Sequence, residues 1–158
     1  MDSPRPKVCI LATHHAYQYK AHRRAYLENV KCLVEIHSVD FVGEEAADSI
    51  DTYAQEIAKG LSVPWRNIDL TSEERRHVPD INRRGIGTLV DPDLQMLREW
   101  VWVIRTAKAM KRSALVICGL AHMTGLAAKF LSVGFDIETN VYFDRTDDEN
   151  IANRIEGA

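Results

Sequence analysis

The chain has 158 residues, a length that suits one compact domain with a sizeable core and is short for two ordinary domains. Hydrophobic residues make up 46% and charged residues 27%, values typical of globular proteins, which disfavours a disordered or membrane-embedded chain. The net charge of -3 gives no overall attraction to duplex nucleic acid or to anionic lipid. We therefore expect one cytoplasmic domain over residues 1–158, with no membrane association.

Apolar runs of strand length alternate with helical patterns along the chain. Such alternation predicts an α/β fold: a mainly parallel central sheet of about five strands, with helices on both faces and a flexible N-terminus over residues 1–6. The predicted strands span residues 7–12, 39–42, 63–68, 114–118 and 137–143, and the main helices span residues 20–37, 50–61, 92–112 and 126–131.

Residues 71–90 form the least regular stretch of the sequence. Thr71 and Glu74 have the spacing of a capping box, which predicts one short helical turn. Beyond that turn, Gly85 could act as a hinge, and Arg75 and Arg83 each belong to an arginine pair that could bind an anion. We consider a lid over an anionic ligand, with a solvated loop as the alternative.

The three cysteines, Cys9, Cys32 and Cys118, lie among aliphatic neighbours and have no paired spacing. A disulfide framework would favour an even count, and a zinc knuckle would require Cys-x-x-Cys. We expect all three to be buried, inert thiols of the core.

Twice, an apolar strand runs into a short group that ends in histidine. These groups are Ala12-Thr13-His14-His15 after the first strand and Gly119-Leu120-Ala121-His122 after the fourth. His15 is preferred to His14 because it stands three residues after the small residue, as His122 does. The carboxyl ends of parallel strands form the ligand crevice of an α/β sheet, and imidazole binds metals and transfers protons near neutral pH. Either histidine alone could merely cap a helix, but the repetition favours a shared site.

Carboxylates follow the second and third strands, at the same predicted edge of the sheet. Glu44 and Glu45 follow the second strand and Asp69 follows the third, although ordinary helix-terminus roles are the alternative for each. Two imidazoles with carboxylates suit a divalent cation that keeps an open position for water, and they also suit metal-free acid/base catalysis. The expected metal ligands are His15, His122, Glu45 and Asp69, and the expected catalytic groups are His15, His122 and Glu45 or Glu44.

Arg98 and Glu99 interrupt the apolar face of the helix that precedes the fourth strand. A surface ion pair would explain them. Alternatively, Arg98 faces the crevice and its guanidinium binds an anionic or carbonyl group of a small-molecule substrate. With Arg98, the predicted substrate-binding set comprises Gln18, Arg75 and Arg83.

Together, these motifs resemble the TraB, Tiki, erythromycin esterase and ChaN superfamily. The first histidine group is similar to its N-terminal Gly-Thr-x-His, with Ala12 in place of glycine, and the second is similar to its Gly-x-x-His. A glutamate after the second strand and the Arg98-Glu99 helix match in order. The resemblance implies an α/β core with a site of His15, His122 and a glutamate, in a superfamily that includes metal-dependent peptidases, esterases and haem binders. This chain is small, so peptidase activity is not carried across.

The sequence therefore predicts a hydrolase of a small or nucleotide-like ester, amide or phosphoester, with the need for a divalent metal left open. The alternative is a non-catalytic haem, metal or nucleotide binding protein that uses the same cleft. A purely structural or partner-binding domain is a third interpretation, and homo-oligomer formation is left open.

Overall fold

In a computed structural model of the chain, the structure describes residues 4–19, 24–47, 51–77 and 92–142. The strands are β1 (Lys7–Thr13), β2 (Phe41–Glu44), β3 (Trp65–Asn67), β4 (Ser113–Gly119) and β5 (Asp136–Tyr142). The helices are α1 (His15–Tyr19), α2 (Arg24–Ile36), α3 (Tyr53–Gly60), α4 (Ser72–Arg76), α5 (Pro92–Ala109) and α6 (Met123–Ser132), with a 3-10 turn at Leu120–His122.

The five strands form one parallel sheet in the order β3-β2-β4-β1-β5. The predicted α/β fold with a central parallel sheet is confirmed. Strand β1 pairs along its whole length with both β4 and β5, and its last residue, Thr13, lies opposite Gly119. The two strands that precede the histidine groups are therefore direct neighbours.

Helices cover both faces of the sheet, so the central strands are buried on both sides. On one face, Cys9 and Leu11 belong to a core that includes apolar residues of α2 and α3. On the other face, Ile10 and Val116 belong to a core with residues of α5 and α6. This double coverage explains why β1 and β4 are continuous apolar runs in the sequence rather than alternating ones.

The connections that leave β1 and β4 run to opposite faces of the sheet. The chain passes from β1 to α2 on one face, and from β4 to α6 on the other. Where the connections of two neighbouring parallel strands diverge, a crevice opens at their carboxyl ends. The sheet order thus places the two histidine groups on either side of one opening.

Strand β2 begins and ends two residues later than predicted, at Phe41 and Glu44 rather than at residues 39 and 42. Within it, Gly43 allows a close approach, since a Cβ there would lie 2.9 Å from the Ile68 side chain. With these bounds, Glu44 is the last residue of the strand and Glu45 is the first residue beyond it.

Two further predictions meet different outcomes. The capping box of Thr71 and Glu74 is confirmed at the start of α4. The prediction of three buried cysteines is wrong for Cys32, which lies on the exposed side of α2, because the helical stripe that faces the sheet passes through Leu33 and Val34.

Most of the candidate lid, including Arg83, lies outside the described residues. Over the described ranges, every helix is too short or too polar to span a bilayer.

Candidate active site

A pocket of ≈ 280 Å³ opens at the carboxyl ends of β1 and β4. Its volume is near the lower end of the range for small-molecule sites, roughly 300 to 1,000 Å³, so it suits a small group rather than a large ligand. Both histidine groups contribute to it. The lining residues are Thr13, His14, His15, Glu45, Gln95, Arg98, Gly119, Leu120, Ala121 and His122.

Glu45 lies at the centre of this pocket, with its carboxylate between the two imidazoles. His15 Nε2 lies 3.7 Å from Glu45 Oε2, and His122 Nε2 lies 3.7 Å from Glu45 Oε1. The same carboxylate accepts hydrogen bonds from Arg98 Nη2 at 2.5 Å and from the Gly119 backbone N–H at 2.9 Å. The structure therefore brings two imidazoles, one carboxylate and one guanidinium to a single site.

His122 is buried and held by a second carboxylate. Its Nδ1 lies 2.9 Å from Glu99 Oε1, and Glu99 Oε2 in turn accepts a hydrogen bond from Lys129 Nζ at 2.7 Å. Because a carboxylate oxygen accepts, Nδ1 is the donor in this pair, and whenever the ring is neutral its lone pair lies on Nε2. The Trp102 ring packs edge-on against the imidazole, with 4.7 Å between ring centroids. His122 is thus fixed in orientation and tautomer.

His15 lies at the mouth of the pocket, where its side chain is 52% exposed. Its Nδ1 lies 3.0 Å from Gln18 Oε1, while Gln18 Nε2 donates to Glu44 Oε1 at 2.8 Å and to the Glu45 carbonyl at 3.0 Å. These donations fix the amide so that its oxygen faces His15. Gln18 is fully buried and orients an imidazole, which corrects its predicted contact with substrate.

Glu44 lies beneath the site rather than in it. Its side chain is fully buried, and it accepts hydrogen bonds from Gln18, from Thr52 Oγ1 at 2.5 Å and from Trp65 Nε1 at 2.8 Å. Burial raises the pKa of Glu44, and the three hydrogen bonds offset only part of that effect. Between the two predicted glutamates, Glu45 is the one that lines the pocket, because it lies beyond the strand end while Glu44 still belongs to the strand.

Asp69 holds Arg98 in place. Arg98 donates to both oxygens of Asp69, at 2.9 and 2.8 Å, and Arg75 and Trp102 donate to the same carboxylate at 2.7 and 3.1 Å. Burial raises the pKa of Asp69, but the hydrogen bonds and the positive charge of Arg98 outweigh it, so the net pKa lies below the ordinary value. Arg75 is therefore a partner of Asp69 and is not among the lining residues, contrary to its predicted role in substrate binding.

The predicted metal set fits this arrangement poorly. Arg98 bridges Glu45 and Asp69, so a positive charge already occupies the oxygens that a divalent cation would need. Both Asp69 oxygens accept at least two hydrogen bonds each, which leaves Asp69 as a support for Arg98 and not as a ligand. Two imidazoles and a carboxylate can bind a divalent cation, but here both Glu45 oxygens already accept hydrogen bonds, from Arg98 and from the Gly119 N–H, and this favours proton transfer over metal binding.

The predicted site set contains Gln18, the partner of His15, but lacks Glu99 and Lys129, which support His122. In the sequence, Glu99 stands out only as the neighbour of Arg98, and no motif marks Lys129. The sequence carries one signal of this support, the glycine three residues after His122. In the structure, a Cβ at this Gly125 would lie 2.6 Å from Glu99 Oε2. The glycine after the second histidine therefore makes room for the carboxylate that holds that histidine.

Comparisons of the chain with protein-family models, with curated proteins and with solved structures find no match.

Proposed function

We propose that the protein is a hydrolase of a small ester, amide or phosphoester, and that it activates water with histidine rather than with a metal. The observation that carries this proposal is the pairing of buried His122 with Glu99, with His122 Nε2 beside Glu45 in the pocket. A carboxylate-held imidazole with a free Nε2 is the arrangement that general-base catalysis needs.

In the proposed reaction, His122 Nε2 removes a proton from a water molecule as the water oxygen bonds to the carbonyl carbon or phosphorus of the substrate. The resulting imidazolium is stabilised by Glu99, which accepts from Nδ1 at 2.9 Å, and by the nearby Glu45 carboxylate. Lys129 Nζ pairs with the other oxygen of Glu99 at 2.7 Å. The buried charge that develops on His122 is therefore compensated in advance.

His15 is placed to supply the proton that the leaving group needs. Its exposure at the mouth lets it exchange protons with solvent, and its Nε2 lies 3.7 Å from Glu45 Oε2. When the bond to the leaving group breaks, the electron pair passes to the leaving atom and the His15 proton follows it. One imidazole then acts as base and the other as acid on opposite sides of Glu45.

Arg98 is proposed to bind the substrate oxygen on which negative charge develops. It lines the pocket, and its contacts with Glu45 and Asp69 hold it in a fixed orientation that costs no reorganisation during the reaction. A guanidinium at this place favours substrates with a carbonyl, carboxylate or phosphoryl group.

A hydrolase substrate screen tests the proposal. We compare the wild type with His122→Ala, Glu99→Gln and His15→Ala, and His77→Ala serves as the control because His77 lies at the exposed end of α4. Loss of His122 should lower the rate by at least ~100-fold, as for a positioned acid/base group, while His77→Ala should leave it unchanged. Metal content is measured in parallel.

Folded His122→Ala and Glu99→Gln variants that both keep wild-type activity would contradict the catalytic assignment. Activity that requires a stoichiometric metal bound through His122 would instead favour the metal-dependent version. Tight ligand binding or a Soret absorption band without turnover of any substrate would support the binding-protein alternative.

A further inference from the structure

A second polar cluster lies on the face of the sheet that α2 covers, away from the pocket. Cys9 on β1 and Glu138 on β5 are register partners, and His37 follows the last residue of α2. One sulfur, one ring nitrogen and one carboxylate oxygen from these three residues all lie within 4.8 Å of one another. In the part of the chain that the structure describes, this is the group that meets the spacing of a metal centre.

We propose that Cys9, His37 and Glu138 bind a divalent transition-metal ion of the zinc class. Zn²⁺ is a borderline-soft ion that accepts thiolate, imidazole and carboxylate ligands, and three protein ligands leave the fourth tetrahedral position for water. The inference is independent of the proposed hydrolase activity, because none of these residues lines the pocket.

The environment of the sulfur supports the assignment. Cys9 is fully buried, yet its Sγ accepts a hydrogen bond from Asn140 Nδ2 at 3.3 Å. A side-chain amide that donates to sulfur stabilises a thiolate, and outer hydrogen bonds of this kind orient metal ligands. Without a metal, burial raises the pKa of the Cys9 thiol to about 11, so metal binding has to displace the thiol proton.

The ammonium group of Lys7 already lies in this cluster. Lys7 Nζ lies 2.8 Å from Glu138 Oε2 and 3.2 Å from His37 Nδ1. Because an ammonium only donates, His37 Nδ1 is the acceptor, and the protonated Nε2 faces Glu138 Oε1 at 3.2 Å. The Lys7 side chain is 39% exposed and can turn into solvent, so a metal ion would take the place of its ammonium group.

A metal at this position would join three elements. Its ligands come from the inner strand β1, from the residue that follows α2 and from the edge strand β5. A ligand that binds the native chain and not the unfolded chain raises stability, so saturating Zn²⁺ should raise the melting temperature.

The experiment titrates the complete chain with Zn²⁺ and with Co²⁺, whose absorption reports a sulfur ligand through a thiolate-to-metal charge-transfer band. We expect one equivalent to bind and the band to appear. Cys9→Ser should abolish the band, and Glu138→Gln should weaken binding by at least about tenfold. Lys7→Ala should strengthen binding, because it removes the competing ammonium group.

Cys32→Ser is the matched cysteine control, and His122→Ala reports on the pocket; neither should change the titration. If Cys9→Ser fails to fold, the binding measured for Glu138→Gln tests the proposal instead, because the Glu138 side chain is 41% exposed. The proposal is overturned if the wild type shows no charge-transfer band, if Glu138→Gln binds Co²⁺ as the wild type does, or if either control abolishes binding.

Discussion

At Gly119, the second histidine group lies directly against His15 of the first. A Cβ there would lie 2.7 Å from His15 Nε2 and 3.5 Å from Glu45 Oε2. Its backbone N–H also donates to Glu45 at 2.9 Å, which helps to hold the carboxylate between the imidazoles. Glycine suits the end of β4 because the imidazole of His15, the first residue of α1, packs directly against it and leaves no room for a Cβ.

We predict that Gly119→Ala lowers activity far more than stability. The added methyl group displaces the His15 ring, and a displacement near 1 Å can cost about 100-fold in rate. The stability loss should stay small, under about 1 kcal/mol, because His15 is half exposed and its ring can turn into solvent. Kinetics, urea denaturation and the His15 ring resonances measure these effects.

Gly60→Ala is the control for that substitution, since a Cβ at Gly60 meets no atom within 4 Å. Unchanged His15 resonances in Gly119→Ala would contradict the prediction.

Helix α5 organises the site because it carries charged side chains toward two different elements. Arg98 reaches Glu45 and Asp69 beyond β2 and β3, whereas Glu99, one position later, reaches His122 and Lys129. Adjacent helical positions differ by about 100° in direction, so one turn of helix serves both sides of the pocket. The contact of α5 with α6 is close enough that Gly125 of α6 leaves no room for a Cβ.

Gly125→Ala should lower both stability and activity. Its Cβ would lie 2.6 and 3.0 Å from the two Glu99 oxygens, and the Glu99 side chain, only 6% exposed, has no solvent into which it can turn. Overpacking of this kind costs about 1 to 3 kcal/mol, and the displaced carboxylate no longer holds His122. Chemical denaturation measures the loss of stability, and the substrate assay measures the loss of activity. A variant as stable as the wild type would contradict the prediction.

At the scale of the whole molecule, the network around Arg98 makes stability depend on pH. Asp69 has a lowered pKa in the folded chain, where its carboxylate pairs with Arg98. As pH falls, the unfolded chain takes up this proton first, near pH ~3.9. The stabilising contribution is therefore complete above about pH 4 to 5 and is lost as pH falls through the folded pKa.

We predict that Asp69→Asn lowers the free energy of unfolding at pH 7 by about 3 kcal/mol, because it removes one partner of a buried ion pair. The difference between the variant and the wild type should shrink as pH falls below about 4, because there the unfolded wild-type chain takes up the Asp69 proton while the folded chain, with its lower Asp69 pKa, still holds the charged carboxylate. Urea denaturation at a series of pH values measures it. A difference that stays constant down to pH ~3 would show that Asp69 does not act through its charge.

The sequence by itself determined the α/β fold and the histidines at the strand ends, because both follow from local patterns. Continuous apolar runs in β1 and β4 record burial on both faces, and a residue just after a parallel strand lies at the ligand-binding edge. Both features depend only on residues that are close together along the chain, so the sequence alone reveals them.

Only the tertiary structure decided which polar groups meet. The position of β4 between β1 and β2 set the location of the pocket, and the later end of β2 put Glu45 in it and Glu44 beneath it. The Glu99 carboxylate binds Lys129 across 30 positions, and Arg98 binds Asp69 across 29. Such pairs depend on how helices pack across the sheet, because packing brings together side chains that no local periodicity relates.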